Sequence, residues 1–204
     1  MPAKIAVIYY SATGNVHGLA NAIVEGAEAA GAEVRLRRAA ENAPAEAVAS
    51  NPAWQQHRED TKDIPEATAD DILWADGVVF GTPTRYGNVS AQLKGFIDTL
   101  GPQWAQGQLA NKVYSGFTSA STSHGGHEST LLALYNTVHH FGGIVVAPGY
   151  TDPIQFAAGT PYGATHISAQ GESPLGDVQK ASARFQGGRV AKVAAVLAGA
   201  DLSV

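Results

Sequence analysis

Three short segments of the chain hold residue types that could handle a phosphorylated, planar ligand. The first, Ser11-Ala12-Thr13-Gly14-Asn15-Val16, places two hydroxyls, a glycine and an amide directly before an amphipathic run. Backbone N–H groups at a helix start, joined by short hydroxyl donors, form a cradle for phosphate. The same residue types also cap helices that bind nothing. No lysine or arginine lies in this segment, so dipoles alone would meet the charge. The second segment, Thr82–Asn88, carries Pro83, Thr84, Arg85, Tyr86 and Gly87. It joins a rigid turn to an aromatic ring and can offer backbone groups to a flat heterocycle. A plain strand-to-helix connection uses similar punctuation. The third runs through Ala120, Ser121, Thr122, Ser123, His124 and Gly125. Its short side chains suit a backbone pressed against a planar ligand, and they suit a surface loop equally well.

Other chemistries find no support. There is no G-x-G-x-x-G after the first strand and no Walker loop, and no G-x-S-x-G elbow follows a strand. With zero cysteines the chain has no disulfide, thiolate metal site or catalytic thiol. His124 and His127 flank a Gly-Gly turn, and His139 adjoins His140, but no carboxylate constellation completes a tetrahedral site. No metal is expected. Arg85 could contact a ligand or neutralise Asp98, and Trp104 could line a pocket or pack in the core. His17, His57 and His166 are expected at the surface, and Trp54 and Trp74 in structural or interface roles.

The elements that must position these loops alternate between strand and helix. Lys4–Tyr10 is a continuous apolar run of the kind covered on both faces. Val16, Leu19, Ala20, Ile23, Val24 and Ala27 then repeat at helical spacing, and Gly31 is the natural stop. Glu33–Arg38 alternates as a short strand would. Residues 39–66 read as a long surface excursion with a turn of helix near Pro44–Ser50. A helix at Glu66–Trp74 and a buried strand at Gly77–Gly81 follow, and Ser90 is placed to cap a helix facing inward through Leu93, Phe96, Ile97 and Leu100. A fourth strand spans Lys112–Thr118. The next helix, Glu128–Phe141, turns Leu131, Leu132, Leu134, Tyr135 and Val138 inward, and Gly143–Ala147 is the fifth strand. Residues 148–176 read as irregular, and a final helix runs from Asp177 to Leu197. Such alternation predicts an α/β fold, a parallel sheet between helix layers, in one domain over residues 1–204. Ligands then bind beyond the carboxyl ends of the strands, where the three segments fall.

The chain resembles the WrbA-type NAD(P)H:quinone oxidoreductases, a branch of the flavodoxin-like proteins. The resemblance rests on Tyr9-Tyr10-Ser11 with Gly14, the run Phe80-Gly81-Thr82-Pro83-Thr84-Arg85-Tyr86-Gly87-Asn88, Trp104, and Gly159-Thr160-Pro161-Tyr162-Gly163-Ala164-Thr165. It covers nearly the whole chain, including the 148–176 segment that ordinary flavodoxins lack. It implies a flavodoxin-like three-layer sandwich, a five-stranded parallel sheet in order 2-1-3-4-5, and noncovalent FMN. By position, the phosphate falls on Ser11, Ala12, Thr13, Gly14, Asn15 and Val16. The flavin ring falls against Pro83, Thr84, Arg85, Tyr86 and Gly87 and the stretch Ala120, Ser121, Thr122, Ser123, His124 and Gly125. The resemblance further implies that His140 reaches the flavin site and that Trp104 contacts substrate; in the expected mechanism His140 then orients or protonates the quinone oxygen. The expected activity is two-electron reduction of quinones by NAD(P)H through a ping-pong cycle, in a cytoplasmic homotetramer whose subunits share the active-site walls. Thr13 replaces the family's usual tyrosine beside the nicotinamide, and the third segment is poorer in glycine than its relatives. A one-electron carrier of the flavodoxin type is the alternative, and a flavin-free scaffold is a further one. A carrier would be shorter, more acidic and monomeric. The modest net charge of −5 and the 148–176 segment favour the enzyme, and the charge points away from nucleic acid as a partner. No run approaches the roughly 20 apolar residues that span a bilayer, and the N-terminus lacks the long apolar region of a signal peptide.

Overall fold

A computed structural model describes residues 1–200. In chain order the elements are β1 (Lys4–Tyr9), α1 (Asn15–Ala29), β2 (Glu33–Arg38), α2 (Ala45–Ala49), α3 (Pro52–Asp60), α4 (Ala69–Trp74) and β3 (Gly77–Pro83). There follow α5 (Ala91–Asp98), α6 (Gly101–Ala105), β4 (Val113–Ala120), α7 (His127–Phe141), β5 (Ile144–Val145), α8 (Pro153–Ala158), β6 (Thr165–Ile167) and α9 (Asp177–Leu197). The strands are parallel and ordered β2-β1-β3-β4-β5, as expected. Among the described residues no helix is long and apolar enough to cross a membrane.

The sheet is covered on both faces because successive strand residues point opposite ways. Ile5, Val7 and Tyr9 of β1 pack with Leu19 and Ile23 of α1 and Val190 and Ala194 of α9. Ala6 and Ile8 of β1, with Phe80 of β3, pack instead with Ile72, Leu93, Leu131 and Leu134 from α4, α5 and α7. Helices α1 and α9 meet at backbone distance. A Cβ on Gly26 would lie 1.9 Å from the Arg184 carbonyl oxygen, and one on Gly187 would lie 2.1 Å from that of Ile23.

Several sequence expectations need correction. The 39–66 excursion contains a second helix, α3, capped by Asn51 Oδ1, which accepts from Ala53 N and Trp54 N, with Pro52 opening the helix. Ser90 stands at the start of α5, but its side chain makes no cap; it lies against Thr82 Oγ1 at 3.1 Å in the interior. Leu132 is half exposed rather than inward, since it follows the inward Leu131 by one position and so lies about 100° round the helix. The fifth strand is only two residues long. Its edge place beside β4 is shared by β6, which pairs with Thr118–Ala120 while β5 pairs with Val113–Tyr114. The 148–176 segment is therefore an insertion that leaves the sheet edge and returns to it. His166 is buried, with Nε2 3.0 Å from the Ser173 carbonyl, and is not a surface residue.

Candidate functional site

The carboxyl ends of β1, β3 and β4 open into a crevice of about 330 Å³, within the usual range for small-ligand sites. From the first segment Ser11, Ala12, Thr13, Asn15 and Val16 line it; from the second, Pro83, Thr84 and Arg85; from the third, Ala120 and Ser121. Gly14 lies between these residues as the cap position of α1, with φ of 98°. That left-handed conformation favours glycine. Ser11 Oγ accepts from Gly14 N at 3.1 Å, which closes the loop on itself.

The second segment is held in a tight bend. Arg85 N donates to the Asn88 carbonyl at 2.8 Å, and Asn88 N returns a bond to the Arg85 carbonyl at 3.0 Å. Between them Tyr86 has φ of 53° and is fully exposed. A bulky residue with positive φ carries strain, and here the strain projects an aromatic ring outward. Thr84 Oγ1 is 2.6 Å from Thr130 Oγ1 on α7, which fixes the crevice wall. The Arg85 guanidinium donates to the Thr84 carbonyl at 3.0 Å. Asp98 is paired with Lys94, so it is not Arg85's partner. Thr122, Ser123, His124 and Gly125 continue the third segment past the crevice lining. A second left-handed glycine, Gly126 with φ of 99°, starts α7 after them.

The remaining walls were not foreseen. Asn51 and Trp54 come from α3, and Ser168, Gln170 and Gly171 come from the turn after β6. Asn51-Pro52 is a legible helix start that puts Trp54 in the first turn of a helix. The Ser168–Gly171 turn carries no such signal; Ala169 and Gln170 both have positive φ there. Behind Trp54 lies Glu41, which accepts from Trp54 Nε1 at 3.0 Å, Tyr10 Oη at 2.9 Å, Gln92 Nε2 at 2.8 Å and Ala43 N at 2.9 Å. Burial pushes the Glu41 carboxyl up, but these four donors together hold it below its ordinary value. Burial and the anionic Glu41 push the Tyr10 hydroxyl upward, so the tyrosine stays a donor.

Two expected residues lie elsewhere. Trp104 and His140 touch each other, with Trp104 Nε1 donating to the His140 carbonyl at 2.7 Å. Helix α7 begins near the crevice and runs 15 residues away from it, about 22 Å at 1.5 Å per residue. Both therefore stand at the opposite end of the sheet, so within one chain the expected roles of His140 and Trp104 in this crevice cannot be met. His127, which together with His124 is not expected to hold a metal, is buried, with Nε2 3.1 Å from the His166 carbonyl. Among the described residues no cluster of three metal-ligating side chains exists.

The residues present suit FMN. The first segment supplies hydroxyls and helix-start amides for a phosphate, while Pro83, Ala120 and Trp54 give flat, mostly apolar surface for a ring. A family model described as NADPH-dependent FMN reductase matches residues 3–153. A NAD(P)H dehydrogenase (quinone) of Deinococcus radiodurans is 44% identical over 97% of this chain and 98% of its own length. A protein of the same description from Sinorhizobium fredii is 42% identical over 96% of this chain and 99% of its own. Among solved structures, a flavodoxin, WrbA-like protein from Agrobacterium tumefaciens superposes with a TM-score of 0.68 and 26% identity, covering 95% of this chain and 98% of that one. A flavodoxin from the domain Archaea gives 0.61 at 18% identity over 94% of this chain and 99% of its own, a likeness of fold.

Proposed function

We propose that this chain, which belongs to the WrbA-like, flavodoxin-fold NAD(P)H:quinone oxidoreductase family, carries out its chemistry in the crevice between Ser11–Val16, Pro83–Gly87 and Ala120–Gly125. It is an FMN-dependent NAD(P)H dehydrogenase (quinone). The observation that carries the assignment of the site is the convergence of three separate loop rims on one cavity at the carboxyl end of the sheet.

FMN supplies the chemistry when bound, taking a hydride from NAD(P)H and giving two electrons to a quinone. The protein binds and orients. Ser11, Thr13 and Asn15 would donate to the phosphate, with Gly14 allowing close approach of the main chain. Thr84, braced by Thr130, and Arg85 would offer polar groups to the flavin ring. Tyr86 stands over the opening as an apolar wall against which a nicotinamide or a quinone packs. Because donor and acceptor use the same opening, they enter in turn.

The expected homotetramer and cytoplasmic location belong to this proposal. A neighbouring subunit is the source of the Trp104–His140 pair that one chain holds away from its own crevice. The pair is suited to it: Trp104 is 53% exposed and is oriented by its bond to the His140 carbonyl.

The direct test follows NADH and NADPH oxidation with benzoquinone, with and without added FMN. Turnover that depends on FMN, with parallel double-reciprocal lines, is expected. Protein that takes up no FMN overturns the assignment, and intersecting lines overturn the shared opening.

A further inference from the structure

His57 projects from α3 against the back of the first segment. A Cβ on Gly14 would lie 3.6 Å from His57 Nδ1. Its ring is 5.4 Å from that of His17, in the first turn of α1. His17 in turn lies 2.7 Å, through Nδ1, from Tyr9 Oη, and 3.0 Å, through Nε2, from Asn21 Nδ2. Two imidazoles therefore sit directly behind a phosphate loop that contains no lysine or arginine.

A phosphate monoester carries up to two negative charges near neutral pH, its second pKa being about 6. Helix-start dipoles offer about half a positive charge. Of the other charged groups behind the loop, Arg58 stands exposed on α3, and Arg38 and Glu41 are already committed. Arg38 pairs with Glu66 at 2.9 Å and donates to the Ile64 carbonyl. Glu41 is taken by its four donors, and the Tyr9 hydroxyl lies on His17. We propose that His57 supplies the missing charge, taking up a proton as the FMN phosphate seats, so that phosphate-dependent retention of FMN is linked to pH through this residue. The inference rests on the FMN reading above. His57 acts as a positioning and electrostatic residue through the Gly14 backbone, not as a catalytic one.

The choice of His57 over His17 follows from their surroundings. Both ring nitrogens of His17 are engaged, and burial together with His57 holds its pKa at about 4. His57 is lowered by burial, but Asp60 on its own helix pulls the other way, so an incoming dianion meets a ring that can still be charged. It shares a small cavity with Tyr9 of β1, Tyr10 just after it, Arg38 of β2, Glu41 of the following segment and Arg58 of α3, and it lies near His17 of α1 and Asp60 of its own helix.

The test dilutes flavin-loaded protein from pH 8 to pH 6 and reads released flavin by fluorescence, with FMN and riboflavin in parallel. In the wild type the preference for FMN over riboflavin, relative to that of His57→Gln, is expected to rise about tenfold as pH falls, the worth of one pKa unit. The phosphate's own ionisation is common to both proteins and cancels. His57→Lys, charged throughout, is expected to hold FMN tightly at pH 8 with a flattened profile. Calorimetry of FMN binding to flavin-stripped full chain, in buffers of different ionisation enthalpy, should show proton uptake that His57→Gln lacks. Identical pH profiles and proton uptake in wild type and His57→Gln overturn the role of His57 while leaving FMN binding intact. Failure of FMN to bind at any pH overturns the FMN reading as well.

Discussion

At the scale of single residues, Tyr86 and His17 have consequences of opposite kind. Tyr86 is fully exposed and held at positive φ by the paired Arg85 and Asn88 backbone bonds, so the fold gains nothing from its ring. Tyr86→Ala should leave the unfolding free energy, read from urea melts, within about 0.5 kcal/mol of wild type, as surface changes do. Loss of one aromatic wall, worth about 1 kcal/mol, should lower quinone kcat/KM about fivefold in steady-state assays. His17 instead affects stability. Its pKa of about 4 in the native state, against 6.5 unfolded, means that between those values the unfolded chain binds a proton that the native chain does not. The stability associated with His17 is thus full above pH 6.5 and declines as pH falls toward 4. With solvent screening of a half-buried group the decline is about 1–2 kcal/mol. His17→Gln should shallow it, read as urea midpoints at pH 7 and pH 4.5. The exposure of Tyr86 was not readable from its type, whereas Gly14 at a helix start was, because only a glycine accepts that φ without strain.

At the scale of elements, periodic ones were legible and insertions were not. Helix α9 spans the residues its pattern predicts, and β2 does too, because burial of one face repeats at a fixed period. Helix α3 has no buried residue, so no apolar period marks it and only the Asn51-Pro52 start signal remained. Strand β6 is three residues long, too short for any alternation to show. Beyond its backbone pairing with β4, β6 is braced by a buried side chain far away in sequence. Gln186 Oε1 accepts from Ala164 N at 2.7 Å, while its Nε2 donates to Ser115 Oγ at 2.7 Å and the Gly116 carbonyl at 2.8 Å. Gln186→Leu strands the Ala164 amide and the Gly116 carbonyl without partners. The expected cost is about 2–4 kcal/mol in chemical denaturation. FMN should also be retained more weakly, because Ser168 and Gln170 lose their support. A variant as stable as wild type would show that the insertion is anchored by its backbone pairing with β4 alone.

At the scale of the whole molecule, the crevice is complete for a cofactor but not for the residues the family resemblance assigns to the substrate. Strand alternation alone predicted a parallel sheet with its ligand loops at the carboxyl ends of the strands, whereas strand order, cofactor and reaction class followed only from the family resemblance that the motif residues carry. The distance between the crevice and the Trp104–His140 pair could not be read from the sequence, since it depends on helix α7 running antiparallel to β4 along the full depth of the sheet. Net charge and composition are silent on oligomeric state. If a neighbouring subunit brings this pair to the crevice, then assembly and quinone turnover must fail together. Trp104→Glu places a charge on a side chain that a subunit contact would bury, at a cost of several kcal/mol. It sits on a short exposed helix whose folding does not require it. Sedimentation velocity is therefore expected to show loss of the tetramer, quinone kcat/KM to fall at least tenfold, and bound FMN per chain to stay unchanged. A variant that remains tetrameric and fully active would remove Trp104 from both the interface and the substrate site. A dissociated variant with undiminished turnover would show that each crevice is finished by its own chain.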